Sequence, residues 1–129
     1  MNYREKLKLA YRTILFCTRR ETFISYGELA NIIGWDWPKD RFRVHGLLGD
    51  LMDICGQQNW PAFSAMVVLK ENIETGTIDG KTLDGLIEKA ESLGYLIENR
   101  ENFIDKQQSK MFTWVNSAPD DLPDEYILD

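Results

Sequence analysis

The chain has 129 residues, 43% of them hydrophobic and 12% aromatic, and a formal net charge of −6, which suits one ordinary core and is too little for two comfortable domains. No window approaches the roughly 18 apolar residues that a membrane span requires, and the first residues alternate charge with Leu where a signal peptide would carry an apolar block, so the sequence predicts a cytoplasmic protein that does not use the membrane. Cys17 and Cys55 sit in helical apolar patterns with no CxxC and a single histidine in the chain, which points to reduced core thiols and implies no metal, disulfide or cofactor.

Residues 1–70 carry ten Lys/Arg against seven Asp/Glu, and residues 71–129 carry five against fourteen. This division, +3 followed by −9, points to a neutral-to-basic working face and an acidic remainder.

From Tyr3 to Thr18, the residues Tyr3, Leu7, Ala10, Tyr11, Ile14 and Leu15 recur at spacings of three and four and predict a first helix. Its outer face carries Arg4, Lys6, Lys8, Arg12 and the terminal pair Arg19-Arg20, which suits the negative end of a helix dipole. Ser25, with Glu28 three residues on, reads as a capping box that starts a second helix. That helix turns Leu29, Ala30 and Ile33 inward and stops near Gly34. Trp35-Asp36-Trp37-Pro38 forms a corner, since Pro38 disfavours helix at the residue before it and is preset to enter the next one. A third helix is expected from about Lys39, with Val44, Leu48, Leu51, Met52 and Cys55 on one face and Arg43, Gly46, Gly49, Asp50 and Asp53 outward.

Phe63–Leu69 is a β-branched run of strand length, and "KENIETGTIDG" after it is a polar turn region. Residues 82–93 predict a further helix closed by Gly94, and "YLIEN" suits a short strand. "IDKQQSKMFTWV" fits either a helix or a strand. Residues 116–129, with two prolines and five acids, read as an acidic tail that is mobile or loosely docked, leaving 1–115 as a single domain. The order of elements predicts an α+β fold: a winged-helix-like helix-turn-helix, a short strand and turn region, an additional C-terminal helix and the acidic tail.

Chemistry is sparsely marked. The acids are scattered, His45 is the only histidine, both cysteines lie on inward faces, and Gly76 and Gly80 make no phosphate-binding loop. The basic residues flank the two central helices. If the third is a recognition helix, Lys39, Arg41, Arg43 and His45 are its DNA-contacting residues, while Asp50 and Asp53 on the same surface would repel phosphates and keep binding weak or assisted. Trp35 and Trp37 suit stacking on unpaired bases, anchoring a protein partner, or covering the core's end.

"ISYGELANIIG", Ile24 to Gly34, resembles the ISYxxLAxxxG stretch in the winged-helix DNA-binding domain of the O6-alkylguanine-DNA alkyltransferases and alkyltransferase-like proteins, and the likeness extends over residues 23–69. It implies that Tyr26 presses on the DNA backbone beside a flipped base. It also implies that an arginine fills the vacated stack: Arg43 if the alignment is set on Gly46, Arg41 if it is set on Val44. Where the alkyltransferases carry Pro-Cys-His-Arg-Val, this chain has Pro61-Ala62-Phe63-Ser64-Ala65 and so lacks the nucleophilic thiolate, and the resemblance implies fold and DNA contact without the reaction. The chain is also similar to uncharacterised bacterial and phage proteins with an ITYGELA-type motif, through Val44, Leu48, Gly49, Leu51, Cys55, Pro61, Val67, Val68, Thr75 and Gly76.

The resulting expectation is a non-enzymatic DNA-binding or regulatory protein that acts through Tyr26, Lys39, Arg41, Arg43 and His45. The alternative is a small protein-binding module of the inhibitor or immunity type. Its acidic C-terminal half would engage a basic protein partner, with Trp35, Trp37, Asp120, Asp121, Asp124 and Glu125 as candidate contacts.

Overall fold

Helix α1, Tyr3–Arg19, forms on the predicted stripe and buries Leu7, Ala10, Tyr11, Ile14, Leu15 and Thr18; in this computed structural model residues 1–127 are described. Its start is capped by Asn2, whose side chain accepts the Glu5 N–H at 2.9 Å. Tyr3 departs from the expected stripe: its ring is 45% exposed and its hydroxyl donates to the Asp50 carboxylate.

Strand β1, Ile24–Ser25, leads directly into helix α2, Tyr26–Ile32, and Ser25 Oγ accepts the Glu28 N–H at 3.1 Å as the sequence predicts. Gly34, at φ +86°, supplies the left-handed turn after α2. Helix α3, Arg41–Gln58, starts two residues later than Lys39. The reason is local: the Asp40 carboxylate closes the corner by accepting the Asp36 N–H at 2.9 Å, so Lys39 and Asp40 remain in the turn. Val44, Leu48, Leu51, Met52 and Cys55 are buried on one face as read, joined by Leu47 and Ile54.

After Asn59 ends α3 in a left-handed conformation, nine consecutive residues, Trp60–Val68, are buried. The expected strand over Phe63–Leu69 is reduced to β2, Val67–Val68, because Phe63–Met66 coils into a 3-10 turn wedged between α1, α3 and the helix at 100–114. β2 pairs with β1 in parallel, Ile24 with Val67 and Ser25 with Val68. A buried irregular segment must satisfy its backbone polar groups without water. Here the Ala62 N–H donates to Gln107 Oε1 at 2.9 Å, and Gln108 Nε2 donates to the carbonyls of Ala65 (2.9 Å) and Gly76 (2.8 Å). The Tyr95 hydroxyl donates to the Trp60 carbonyl at 2.8 Å.

Gly76, at φ +74°, is required where it stands, since a Cβ there would lie 2.3 Å from the Phe23 ring. Helix α4, Gly80–Ser92, and helix α5, Arg100–Trp114, complete the order, so the ambiguous 104–115 region is helical and two helices follow the turn region where one was predicted. Among the described residues "YLIEN" forms no strand; Tyr95 is drawn inward by its bond to Trp60 and no strand edge lies beside it. The described residues form five α-helices with a two-stranded parallel sheet, an α+β arrangement. Among the described residues no helix is long and apolar enough to cross a membrane.

Of the two alternatives that composition leaves open, a mobile or a loosely docked tail, the acidic segment is docked. It runs antiparallel to α1, with Asp120 3.0 Å from Arg19, Asp121 3.1 Å from Arg12, and Asp124 2.5 Å from Lys8 and 3.5 Å from Arg4. The Lys8 hydrogen bond holds the Asp124 carboxyl below its usual range. Apolar anchoring does the remainder: Leu122 is 1% exposed, Tyr126 meets Trp60 edge-on at 5.7 Å, and Tyr11 donates to the Pro119 carbonyl at 2.5 Å. The docking arises because the acids find matching cations and two apolar side chains find a site, contacts that composition does not show. Residues 128 and 129 of the predicted tail lie outside the described residues.

Two stability outcomes are expected in urea unfolding. Gln108→Leu strands two buried carbonyls and lowers stability by at least about 2 kcal/mol. Leu122→Ala costs about 2–5 kcal/mol, while Asp121→Asn, which breaks a half-exposed pair, costs under about 1 kcal/mol.

Candidate nucleic-acid interface

The corner between α2 and α3 gathers three rings. Tyr26, at the first position of α2, is 5% exposed and stacks on Trp37 with centroids 5.3 Å apart and planes 12° from parallel. His45, one turn into α3, lies 5.0 Å from Tyr26 and meets Trp37 edge-on at 5.9 Å. Burial pushes the Tyr26 hydroxyl up to about 12. Burial, and secondly the charge of Arg41, moves the His45 pKa below its ordinary 6.5, so the ring is neutral at pH 7. Trp35 also folds back: it is half-buried, with Lys6 Nζ 5.1 Å from its ring centroid while the same ammonium donates to the Ile33 carbonyl.

Around this cluster the side chains point outward. Lys39, Arg41, Phe42 and Arg43 are all exposed, Phe42 to 78%. The Arg41 guanidinium sits 5.0 Å over the Phe42 ring, and Arg43 reaches within 3.9 Å of Asp40. Lys39 and Arg41 have no carboxylate partner among the described residues. Alongside runs a groove of about 460 Å³ between α3 and α4, walled by Tyr26, Phe42, His45 and Met52 on one side and by Leu86 and Lys89 on the other.

The aspartates expected to repel nucleic acid are already engaged. Asp50 accepts the Tyr3 hydroxyl, and Asp53 lies 2.7 Å from Lys89 Nζ. Of the five basic residues flanking the central helices, Arg19 and Arg20 stand apart from the rest. Lys6 touches Ile33 and Trp35, which sets the corner against the first turns of α1, and Arg19 lies thirteen residues, about 20 Å, further along that helix. There Arg19 meets Asp120, and Arg20 covers Phe16 at 5.4 Å. The structure places Tyr26 against His45, with the Arg41 charge acting on His45, while Lys39 stays exposed in the corner and Arg43 is exposed near Asp40. It engages Asp120, Asp121 and Asp124 with α1 and leaves Glu125 exposed.

Of the Pro61–Ala65 stretch, Pro61, Ala62 and Phe63 are buried, with Ala62 and Phe63 fully inaccessible, and Ser64 lines the groove. Cys55, in the core, is pushed up to about 12 by burial, and burial also raises half-buried Cys17, so both stay protonated at neutral pH. Among the described residues no group of three His, Cys, Asp or Glu side chains could hold a metal ion. Sequence reading missed Phe42. Its signal was an aromatic residue off the buried stripe, set between two arginines at a helix start. The groove has no sequence signal, because α4 supplies one wall from 40 residues downstream. Comparison of the chain with known protein families, with curated proteins and with solved structures finds no match.

His45 gives a pH signature. Its folded-state pKa lies below the unfolded value of 6.5, so the unfolded chain binds the extra proton; the contribution is present above pH 6.5 and is lost as the pH falls through the folded value. His45→Gln is therefore expected to lose less stability than the native chain on acidification from pH 7 to about pH 5, as read by urea unfolding.

Proposed function

We propose that the protein is a non-enzymatic DNA-binding or regulatory protein and that the face formed by the corner and the start of α3 is where DNA is held. The observation that carries this reading is the exposed Lys39-Arg41-Arg43 set beside the Tyr26-Trp37-His45 ring cluster, with Asp50 and Asp53 already engaged elsewhere. Cations at a helix start hold phosphates, and the neighbouring rings and groove offer a surface to bases. The likeness of Ile24–Gly34 to the alkyltransferase winged helix supports the same reading, with α2 and α3 as its helix-turn-helix, Tyr26 on the DNA backbone, and Arg41 or Arg43 entering the stack. Asp36 and Asp40 lie within the corner, so the net positive charge is small and binding is weak and salt-sensitive.

The competing reading, a protein-binding module acting through its acidic half, draws less support. Asp120, Asp121 and Asp124 remain exposed but already have cations of α1 as partners, which a basic protein would have to displace.

Fluorescence polarisation with short duplex and single-stranded DNA at low salt tests the proposal. Arg41→Ala combined with Arg43→Ala is expected to weaken binding at least about tenfold and to flatten the log K against log salt slope by about 2. Affinity indifferent to both substitutions would overturn it, as would the absence of binding at low salt.

A further inference from the structure

At the other end of α3 from Arg41, about 25 Å along the helix, a cleft of about 700 Å³ opens between the α3 terminus, the α4–α5 connection and α5. Its size falls within the usual range for a small-molecule site. Helix α5 presents Gln107, Lys110 and Trp114 to it at spacings of three and four, which sets them on one face. Opposite and beside them stand Trp60 and Tyr95, and Trp60 lies 5.1 Å from Trp114, centroid to centroid.

The polar side chains of the cleft include Asn59, Ser109 and Thr113 together with two donors on α5, Gln107 and Lys110. Gln107 is only 4% exposed, and its Oε1 is committed to the Ala62 N–H. Its Nε2 has no acceptor among the described residues, although the side chain lines the cleft. Among the described residues the one buried side-chain polar atom without a partner is Asn102 Oδ1, so Gln107 Nε2 is reached by solvent at the cleft, and a ligand oxygen can take the water's place there. One turn on, Lys110 is exposed and has no carboxylate within 4.0 Å among the described residues. Among the described residues no Asp or Glu lines the cleft, in a chain whose net charge is −6.

We propose that this cleft binds a planar aromatic carboxylate. The ring system rests among Trp60, Trp114 and Tyr95, and the carboxylate accepts from Gln107 Nε2 and pairs with Lys110 Nζ. Two donors one helical turn apart match the two oxygens of one carboxylate, and three aromatic walls favour a flat ring over an aliphatic chain.

The test is a titration of the isotope-labelled full chain with 2-naphthoate and with neutral 2-naphthamide, followed by amide and indole NMR signals. Saturable shifts are expected at the Gln107 side-chain amide and at the indole N–H groups of Trp60 and Trp114. Naphthamide should bind at least about fivefold more weakly. Lys110→Met, at an exposed position, should leave thermal unfolding unchanged, weaken naphthoate by a similar factor and leave naphthamide unaffected. The proposal is overturned by shifts that do not saturate in the millimolar range, by shifts confined to the α3–α4 groove, or by equal binding of acid and amide that is indifferent to Lys110→Met.

Discussion

The fold depends on a buried stretch that is neither helix nor, for most of its length, strand. Trp60–Val68 passes through the centre of the molecule, where water cannot reach its peptide groups. Two adjacent glutamines of α5 resolve the problem, Gln107 by accepting from Ala62 and Gln108 by donating to Ala65 and Gly76. Both are almost fully buried, and each bond joins parts of the chain more than 30 residues apart. The stretch can then serve as a hub: Phe63 stacks on Tyr11 of α1 at 5.1 Å and meets Trp114 of α5 at 5.5 Å, while Val67 and Val68 continue into the parallel pair with β1. Burial of such aromatic surface is worth about 25 cal/mol per Å², so the hub is where hydrophobic stabilisation concentrates.

What the hub fixes is the corner between α2 and α3. β1 hands the chain directly to the Ser25 cap, so the sheet pairing sets where α2 begins and where the Tyr26 ring lies. The core face of α3 packs on the same hub, and its first turn is left projecting. The two basic regions of the amino-terminal half then differ in a way that net charge conceals. On α1 the residues Arg4, Lys8, Arg12 and Arg19 are met by the acidic segment, whereas Lys39 and Arg41 beside the corner have no such partner among the described residues. The two proposed sites, at opposite ends of α3, each have a cation without a carboxylate partner among the described residues in the company of aromatic rings, Arg41 over Phe42 at one and Lys110 in the cleft with Trp60 and Trp114 at the other.

Much of the amino-terminal half was legible from local chemistry. The α1 stripe, the Ser25 cap, the Gly34 stop and the buried face of α3 each depend on neighbours within a few residues, and local patterns report those well. The misread features are those set by distant partners. Phe63–Met66 has a strand's composition, yet it coils because three helices enclose it. Gln107 and Gln108 carry no sequence signal of their role, because nothing near them in sequence reveals the carbonyls and amide they serve. Residues 117–127 have a disordered chain's composition, and their order comes from cations a hundred positions away. Within the candidate interface the charged residues and Tyr26 were readable by position, while the ring cluster, Phe42 and the groove required the fold.

On the proposed function, nucleic acid meets the cations at the start of α3 and not the face of α1 that the acidic segment covers. Chemical-shift mapping of the isotope-labelled chain with a short DNA duplex at low salt tests this most directly. The account predicts perturbations concentrated at Tyr26 and over residues 37–46. Perturbations concentrated instead on the outer face of α1 and on residues 120–124 would contradict it.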